Sequence, residues 1–125
     1  MTENKKVLII EDDKFLAKML ARMLESKNIQ VSMATTGQEG FTKTIDVRPD
    51  LVLLDIMLPD IDGFEILKKI KANDALKNIP VMVMSNLGQP EDINQAKNLG
   101  AVDHLVKSDL GLDEVVDKVS SQLNL

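Results

Sequence analysis

Hydrophobic residues occur along the chain in short runs that are separated by longer segments of mixed polarity. Four runs are continuous, as expected of strands that are buried on both faces of a parallel sheet. They cover residues 7–10, 51–54, 79–84 and, more weakly, 104–106, which follow Gly100 and Ala101. A fifth segment, residues 29–34, alternates apolar and polar side chains and predicts an edge strand.

Between these runs, apolar residues recur every three or four positions, which is the spacing of a helix with one buried face. The segments with this spacing are residues 16–24, 41–45, 64–70, 93–99 and 112–123. Glycine and proline support their boundaries: Gly37 and Gly63 open the second and third helices, Pro90 lies in the first turn of the fourth, and Gly100 follows its end. The predicted order of elements is (βα)5.

Strands and helices that alternate in this way predict one parallel sheet covered on both faces, because parallel strands need crossover connections. For five strands the common doubly wound order is 2-1-3-4-5. Ligands of such sheets bind beyond the carboxyl ends of the strands, where the winding reverses between the first and third strands. We therefore expect a functional site at that edge.

Length and composition indicate one domain that spans residues 1–125, with 44% hydrophobic residues. The formal net charge of −5 opposes binding to nucleic acid and to anionic lipid. The absence of Cys and the single His exclude thiolate metal sites, cysteine nucleophiles and multi-histidine metal sites. No apolar run approaches the roughly 20 residues of a membrane-spanning helix, and no signal peptide pattern is present, so we expect a cytoplasmic protein.

Polar residues that can bind a ligand or take part in a reaction stand at the predicted carboxyl ends of the strands. Crowded carboxylates need a compensating cation, and oxygen ligands without Cys or His favour a hard ion such as Mg²⁺. A carboxylate there can act as a nucleophile, while a lysine and a hydroxyl can bind the oxygens of a transferred phosphoryl group. The residues are Glu11, Asp12 and Asp13 after the first strand, Asp55 after the third, Ser85 after the fourth and Lys107 after the fifth.

With these residues in this order, the chain resembles the receiver domains of response regulators in two-component signalling, of the stand-alone type. The resemblance covers essentially the whole chain and implies a flavodoxin-like fold. It rests on four stretches: residues 7–13 (VLIIEDD), 50–63 (DLVLLDIMLPDIDG), 80–85 (PVMVMS) and 100–107 (GAVDHLVK).

The resemblance implies an aspartyl-phosphate switch. Asp55 would accept a phosphoryl group from the phosphohistidine of a sensor histidine kinase or of a histidine phosphotransfer protein. Asp12, Asp55 and the backbone carbonyl of Met57 would hold Mg²⁺ directly, with Glu11 acting through water. The chain would then be no enzyme beyond catalysing its own phosphorylation and slow dephosphorylation.

By the same resemblance, Ser85 and Lys107 would bind the phosphoryl oxygens. The signal would leave through the face formed by the fourth helix, the fifth strand and the fifth helix, towards a downstream protein target that the sequence does not identify. Only residues 123–125 follow the fifth helix, so in a complete chain we expect output by protein contact, without direct binding to nucleic acid or membrane. Phosphorylation could also drive dimerisation.

Several residues depart from the pattern of receiver domains. Ser108 stands where the family commonly has a proline after a cis peptide bond. A cis bond before another residue costs about 3 kcal/mol, so a trans bond that shifts Lys107 slightly is an alternative, and the sequence leaves the conformation open. Asn86 replaces a small residue, and its amide could narrow access to Asp55 or bond to the phosphoryl oxygens. Met57 and Leu87 are apolar at positions that influence access of water, which predicts slow hydrolysis. His104 occupies the position of an aromatic switch residue, and a partly buried histidine without a signalling task remains an alternative.

Three other functions fit the sequence less well. A receiver that has lost its switch would act as a constitutive interaction module, but the set of acidic, hydroxyl and lysine residues is intact. A haloacid-dehalogenase-type phosphohydrolase needs a second Asp two positions after Asp55, where Met57 stands. A flavin or nucleotide module needs a glycine- or hydroxyl-rich loop after the first strand, where residues 11–14 read EDDK.

Overall fold

A computed structural model gives the fold of the protein and describes residues 4–86 and 88–125. Five strands and five helices alternate along these ranges. They are β1 (Lys6–Ile10), α1 (Lys14–Glu25), β2 (Gln30–Ala34), α2 (Gly37–Val47), β3 (Leu51–Asp55), α3 (Gly63–Ala72), β4 (Val81–Ser85), α4 (Pro90–Asn98), β5 (Asp103–Val106) and α5 (Leu112–Gln122). None of the helices in the described ranges is long and apolar enough to cross a membrane.

All strand pairs are parallel and form one sheet in the order β2-β1-β3-β4-β5. The predicted fold and strand order are therefore confirmed. In the register of this sheet, Ile10 lies beside Leu54 and Asp55 lies beside Met84, so β1, β3 and β4 end at the same edge.

The start of β4 differs from the prediction, which placed the strand over residues 79–84. The strand begins at Val81 because the Ile79 amide donates to the Leu76 carbonyl in a turn, 2.9 Å away. Pro80 has no N–H to donate, although its carbonyl accepts from Val52 at 3.0 Å. At the other end, Asp55 and Ser85 are the last residues of β3 and β4, where the prediction placed them just after the strands.

The sheet separates two hydrophobic cores, because successive strand residues point to opposite faces. On one face, α1 and α5 pack against alternate strand residues that include Val7, Ile9, Leu51 and Leu53. On the other face, α3 and Ala96 of α4 pack against their neighbours Leu8, Ile10, Val52 and Leu54. Because every residue of β3 is buried, its last residue, Asp55, is held by a strand that is packed on both sides.

β2 lies at an edge of the sheet, as its alternating pattern predicts. Met33 is one of its exposed side chains, whereas Ile29, just before the strand, is buried. The Ala34 carbonyl accepts from Glu11 of the neighbouring chain segment, so the Met33 carbonyl points to the open side of the sheet. There the Lys43 ammonium group of α2 donates a hydrogen bond to it.

Candidate functional site

Three carboxylates meet at the edge where the central strands end. Glu11 and Asp12 follow β1, Asp55 ends β3, and one ligand oxygen from each lies within 4.8 Å of the others. Glu11 is fully buried and Asp55 is 4% exposed, whereas Asp12 faces solvent. Asp13, the fourth carboxylate of the predicted set, instead caps α1 by accepting from the Leu16 amide at 3.1 Å. The protein thus has an oxygen-rich acidic cluster that could hold a metal ion.

Lys107 brings a positive charge to this cluster from the loop after β5. Its ammonium group donates to Glu11 and, at 3.0 Å, to Asp55, and the side chain is 19% exposed. The Lys107 amide also donates to the Ser85 carbonyl at 2.7 Å, which fixes the start of the loop against β4. Lys107 thus lies at the same edge of the sheet as Asp55, where the sequence analysis placed it.

The peptide bond between Lys107 and Ser108, which the sequence left open, is trans, and no peptide bond in the described ranges is cis. The Ser108 hydroxyl donates to the Asn86 carbonyl at 3.1 Å and thereby joins the loop after β5 to the loop after β4. Asn86 itself lines the mouth of the cleft above Asp55, which is the position predicted for it.

The buried charges shift the pKa values of their neighbours. The pKa of Glu11 is raised to about 7, mainly by burial and also by the Asp55 carboxylate, while the hydrogen bond from Lys107 acts in the opposite direction. For Lys107, burial by itself favours the neutral amine, but the hydrogen bonds and charges of Glu11 and Asp55 outweigh it and raise the pKa. In the metal-free protein, Lys107 is therefore the cation that offsets the crowded carboxylates.

The loop from β3 to α3 carries the Met57 carbonyl and is anchored at both ends. The Met57 amide donates to Asp55 at 3.1 Å, and the Gly63 amide donates to the Ile56 carbonyl at 2.8 Å. In between, the Asp60 carboxylate accepts from the backbone amides of Gly37 at 2.8 Å and Gln38 at 3.0 Å, the first residues of α2. The loop is thus tied to a neighbouring helix and does not depend on β3 alone.

Gly63 is required by a close approach of the backbone. A Cβ atom at this position would lie 2.5 Å from the Asp55 carbonyl oxygen and 2.6 Å from the Ile56 Cα. Both distances are far shorter than van der Waals contact. Both contacts are with backbone atoms, which cannot move away by a change of rotamer as a side chain can. The first turn of α3 can therefore pack directly behind Asp55 only with glycine at this position.

Above the carboxylates lies an open cleft of about 380 Å³. Met57 borders it and is 67% exposed, so an apolar side chain stands at the entrance as predicted. The prediction for Leu87 lies outside the described residues. The described residues that line the cleft are Glu11, Asp12, Asp13, Asp55, Met57, Leu58, Pro59, Asn86 and Lys107.

Ser85 is 4% exposed at the end of β4 and does not belong to the described lining of the cleft. Its hydroxyl lies 3.2 Å from Nε2 of His104, on the neighbouring strand β5. Sequence reasoning considered both residues but missed this contact. The sequence offers one indication of it: when β4 and β5 are paired as neighbouring strands, the two residues come close to each other.

Asp60 was missed as well, although it lies in one of the stretches on which the resemblance rests. The available signal was an acidic residue in the loop after the third strand. Which loop reaches the first turn of α2 depends on the packing of whole elements, so local sequence does not reveal it.

Comparisons with known proteins agree with this geometry. A family model described as the response regulator receiver domain matches residues 7–120. The chain therefore belongs to the receiver domains of two-component response regulators.

Among individual relatives, the chain is 36% identical to sporulation initiation phosphotransferase F of Bacillus subtilis over 98% of this chain and 96% of that protein. It is 32% identical to the DNA-binding dual master transcriptional regulator RpaA of Synechocystis over 94% of this chain, but only 48% of RpaA is covered. The chain thus spans about half of RpaA and nearly all of phosphotransferase F.

Solved structures show the same fold. A two-component response regulator from Clostridium difficile superimposes with a TM-score of 0.88 at 32% identity, covering 97% of each chain. A CheY-like receiver domain protein from Methanospirillum hungatei gives a TM-score of 0.88 at 26% identity, covering 97% of this chain and 94% of that one.

Proposed function

We propose that the protein is a phosphorylation-controlled switch in which Asp55 takes a phosphoryl group from the phosphohistidine of a sensor histidine kinase or a histidine phosphotransfer protein. The observation that carries this proposal is the position of Asp55: a nearly buried carboxylate at the floor of an open cleft, contacted by Lys107 and next to two further carboxylates. The open cleft leaves room for a donor above Asp55, and the hydrogen bonds from the Met57 amide and Lys107 hold the carboxylate in place.

In the reaction, a carboxylate oxygen of Asp55 attacks the phosphorus atom of the donor. The phosphorus–nitrogen bond breaks, and its electron pair remains on the imidazole of the donor. Negative charge spreads over the phosphoryl oxygens as the group is transferred, so catalysis consists mainly of positioning and charge stabilisation. Lys107 and Ser85 are the expected contacts of these oxygens, and the contact of Lys107 with Asp55 supports this role for Lys107.

The acidic cluster fits a divalent cation, because its donors are oxygens and no Cys or second His competes. We propose that Asp12, Asp55 and the Met57 carbonyl hold Mg²⁺, with Glu11 acting through water. When bound, the ion supplies positive charge that stabilises the phosphoryl oxygens. A bound cation would favour the carboxylate form of Glu11 and so act against the rise in its pKa.

The output is expected on the face formed by α4, β5 and α5. A pocket of about 310 Å³ lies between α4 and β5 and includes His104. A downstream protein is the expected partner at this face, in the cytoplasm, and dimerisation on phosphorylation is a further expectation. With a net charge of −5, the chain itself is not suited to bind nucleic acid or anionic lipid.

The test is incubation with Mg²⁺ and acetyl phosphate, followed by measurement of the intact mass. We expect the mass of one phosphoryl group to be added to the parent and to Asp74→Asn, a control at an exposed carboxylate far from the cleft. Asp55→Asn should add none, because its amide nitrogen and oxygen are poor nucleophiles. A parent that gains no mass with any phosphodonor would favour the alternative of a degenerate receiver that binds partners constitutively.

A further inference from the structure

Asp60 lies in the loop between β3 and α3 but bonds to a helix that follows a different strand. Its carboxylate accepts hydrogen bonds from the backbone amides of Gly37 and Gln38, at 2.8 Å and 3.0 Å, in the first turn of α2. The amides of a first helical turn have no acceptor within their own helix. Thr36, the residue before α2, accepts from the Glu39 amide at 3.1 Å. Asp60 therefore supplies, from another segment, the acceptors for the two amides that come before Glu39.

The next residue of the loop, Ile61, packs against the same turn of α2. A Cβ atom on Gly37 would lie 2.2 Å from Cγ2 of Ile61, so the Ile61 side chain occupies the space that the glycine leaves open. Ile61 is also packed against the hydrophobic core on this face of the sheet. A polar contact and an apolar contact, made by successive residues, thus hold the loop against α2.

The start of α2 is in turn tied to the acidic cluster. Two residues separate it from the end of β2. The last residue of β2, Ala34, accepts a hydrogen bond from the Glu11 amide at 2.9 Å. Contacts therefore lead from Glu11 through β2 and α2 to Asp60, and the chain leads from Asp60 back to Met57. The loop is connected to both segments that carry the acidic cluster, β3 directly and β1 through α2.

The proposed ligands of the cation differ in how they are held. Asp12 and Asp55 stand at the ends of β1 and β3, which pair with each other in the sheet. The Met57 carbonyl belongs to the loop, so strand pairing does not fix it. Mg²⁺ requires a nearly octahedral set of oxygens at about 2.0–2.1 Å, whereas Ca²⁺ accepts irregular geometry at about 2.3–2.6 Å. A less constrained loop should therefore weaken the binding of Mg²⁺ more than the binding of Ca²⁺.

We propose that Asp60 is a positioning residue for the cation site: through its bonds to α2 it fixes the loop that carries the Met57 carbonyl, and it thereby favours Mg²⁺ over Ca²⁺. The inference deepens the proposed function and rests on its cation site. It gives a role in metal selectivity to a carboxylate outside the described lining of the cleft, and to a helix that supplies none of the proposed ligands.

The test measures the dissociation constants of Mg²⁺ and of Ca²⁺ by NMR titration of the backbone amide signals. Asp60→Ala loses both acceptor oxygens, and we expect it to bind Mg²⁺ about threefold to tenfold more weakly than the parent, with a smaller loss for Ca²⁺. Asp60→Asn keeps one acceptor oxygen and should lie between the parent and Asp60→Ala. Loss of negative charge alone would weaken both divalent cations by the same factor, so the ratio of the two constants separates positioning from charge.

Thr36→Ala is the matched control. It removes the hydrogen bond to the Glu39 amide and so weakens the start of α2, but it leaves the Asp60 carboxylate and the loop unchanged. We expect this variant to melt at a lower temperature than the parent and to keep the parent's ratio of Mg²⁺ to Ca²⁺ affinity. The titrations are made at a temperature at which the amide signals of every variant are those of a folded protein.

Three results would overturn the inference while leaving the proposed function intact. They are an Asp60→Ala variant that binds Mg²⁺ as tightly as the parent, an equal loss of affinity for Mg²⁺ and Ca²⁺, and the same change of ratio in Thr36→Ala. A parent protein that binds no Mg²⁺ would overturn the inference together with the proposed cation site.

Discussion

At the scale of single residues, the site contains charges that compensate one another before a ligand binds. Clustered carboxylates alone predict strong repulsion, but Lys107 contacts both Glu11 and Asp55. Asp12 forms no ion pair with any described residue and faces solvent. Its negative charge therefore adds to the repulsion within the acidic cluster and is not offset by an ion pair. Asp12 is also the carboxylate of the cluster that is most accessible to an incoming cation.

This difference predicts how Asp12→Ala responds to Mg²⁺. Millimolar Mg²⁺ should raise the melting temperature of the parent, because the ion binds the native state. Asp12→Ala should lose most of this increase, and its metal-free form should melt slightly higher than the parent because repulsion is relieved. Thermal unfolding followed by circular dichroism gives both values, with Asp74→Ala as a control that keeps the full response. An undiminished response in Asp12→Ala would exclude Asp12 as a ligand.

Met57 leads to a second prediction, which concerns the lifetime of the proposed phosphorylated state. Its exposed thioether borders the approach to Asp55 and offers no strong hydrogen bond to a water molecule. Because hydrolysis depends on a positioned water, we expect slow loss of phosphate from the parent. Met57→Asn should accelerate the loss by about tenfold, which corresponds to about 1.4 kcal/mol of barrier. Decay of the intact mass after removal of the donor measures the rate, with Met57→Leu as the apolar control. Equal decay in Met57→Asn and Met57→Leu would contradict the prediction.

At the scale of elements, α4 buries less of its surface than α1 and α3 do. Ala96 is its one buried residue, and no side chain caps its N-terminus at Gln89. By contrast, α1 buries four residues and is capped by Asp13. An element with little buried apolar surface opens at a lower free-energy cost than the whole molecule.

We therefore predict that the backbone amides of α4 exchange with deuterium faster than those of α1 and α3. Hydrogen exchange followed by mass spectrometry or NMR measures the difference, and α1 is the internal reference. Protection in α4 equal to that in α1 would show that contacts other than apolar burial stabilise the helix.

The link between Asp60 and α2 predicts a dependence of stability on pH. Hydrogen bonds from the backbone amides of Gln38 and Gly37 lower the pKa of Asp60. Since the folded pKa lies below the unfolded value, ionised Asp60 stabilises the fold above the unfolded pKa of about 3.9, and this stabilisation is lost as the pH falls through the folded value. Asp60→Asn, which keeps one of the two acceptor oxygens, should therefore be less stable than the parent at neutral pH.

Urea unfolding of the parent and Asp60→Asn at several pH values tests this prediction. The difference in free energy of unfolding should be constant above about pH 5 and narrow below about pH 4. Asp74→Asn, at an exposed position, is the control. A difference that does not change with pH would show that the carboxylate charge is not what anchors the loop.

At the scale of the whole molecule, the sheet makes the two cores energetically separate. Ile9, in β1, is buried in the core that β1 and β3 form with α1 and α5. Ile70, in α3, is buried in the core on the opposite face of the sheet. Ile9→Val and Ile70→Val should each cost about 0.5–1.5 kcal/mol of stability. Because they share no core, the double variant should lose the sum to within about 0.5 kcal/mol. Urea unfolding measures each value, and a larger departure from the sum would mean that strain passes through the sheet.

The fold could be predicted from sequence because its determinants are local and repeated. Continuous apolar runs identified the buried strands, and the rule for parallel sheets then placed Asp55 and Lys107 at one edge. The predicted start of β4 was wrong because Ile79 lies in a turn, and its hydrophobicity alone does not distinguish it from a residue of the strand. The Ser85–His104 and Asp60–α2 contacts join separate elements, and such pairings follow from exact packing and not from pattern.

The hydrogen bond from Lys43 to the Met33 carbonyl affects how copies of the chain meet at high concentration. An open strand edge offers unpaired carbonyl and amide groups to which the strand of another molecule can add. On β2 one such carbonyl is already occupied, and the group that occupies it carries a positive charge that would be desolvated if a second strand approached. The side of the molecule farthest from β5 is thus protected against edge-to-edge aggregation by a helix side chain, although the strand itself is partly apolar.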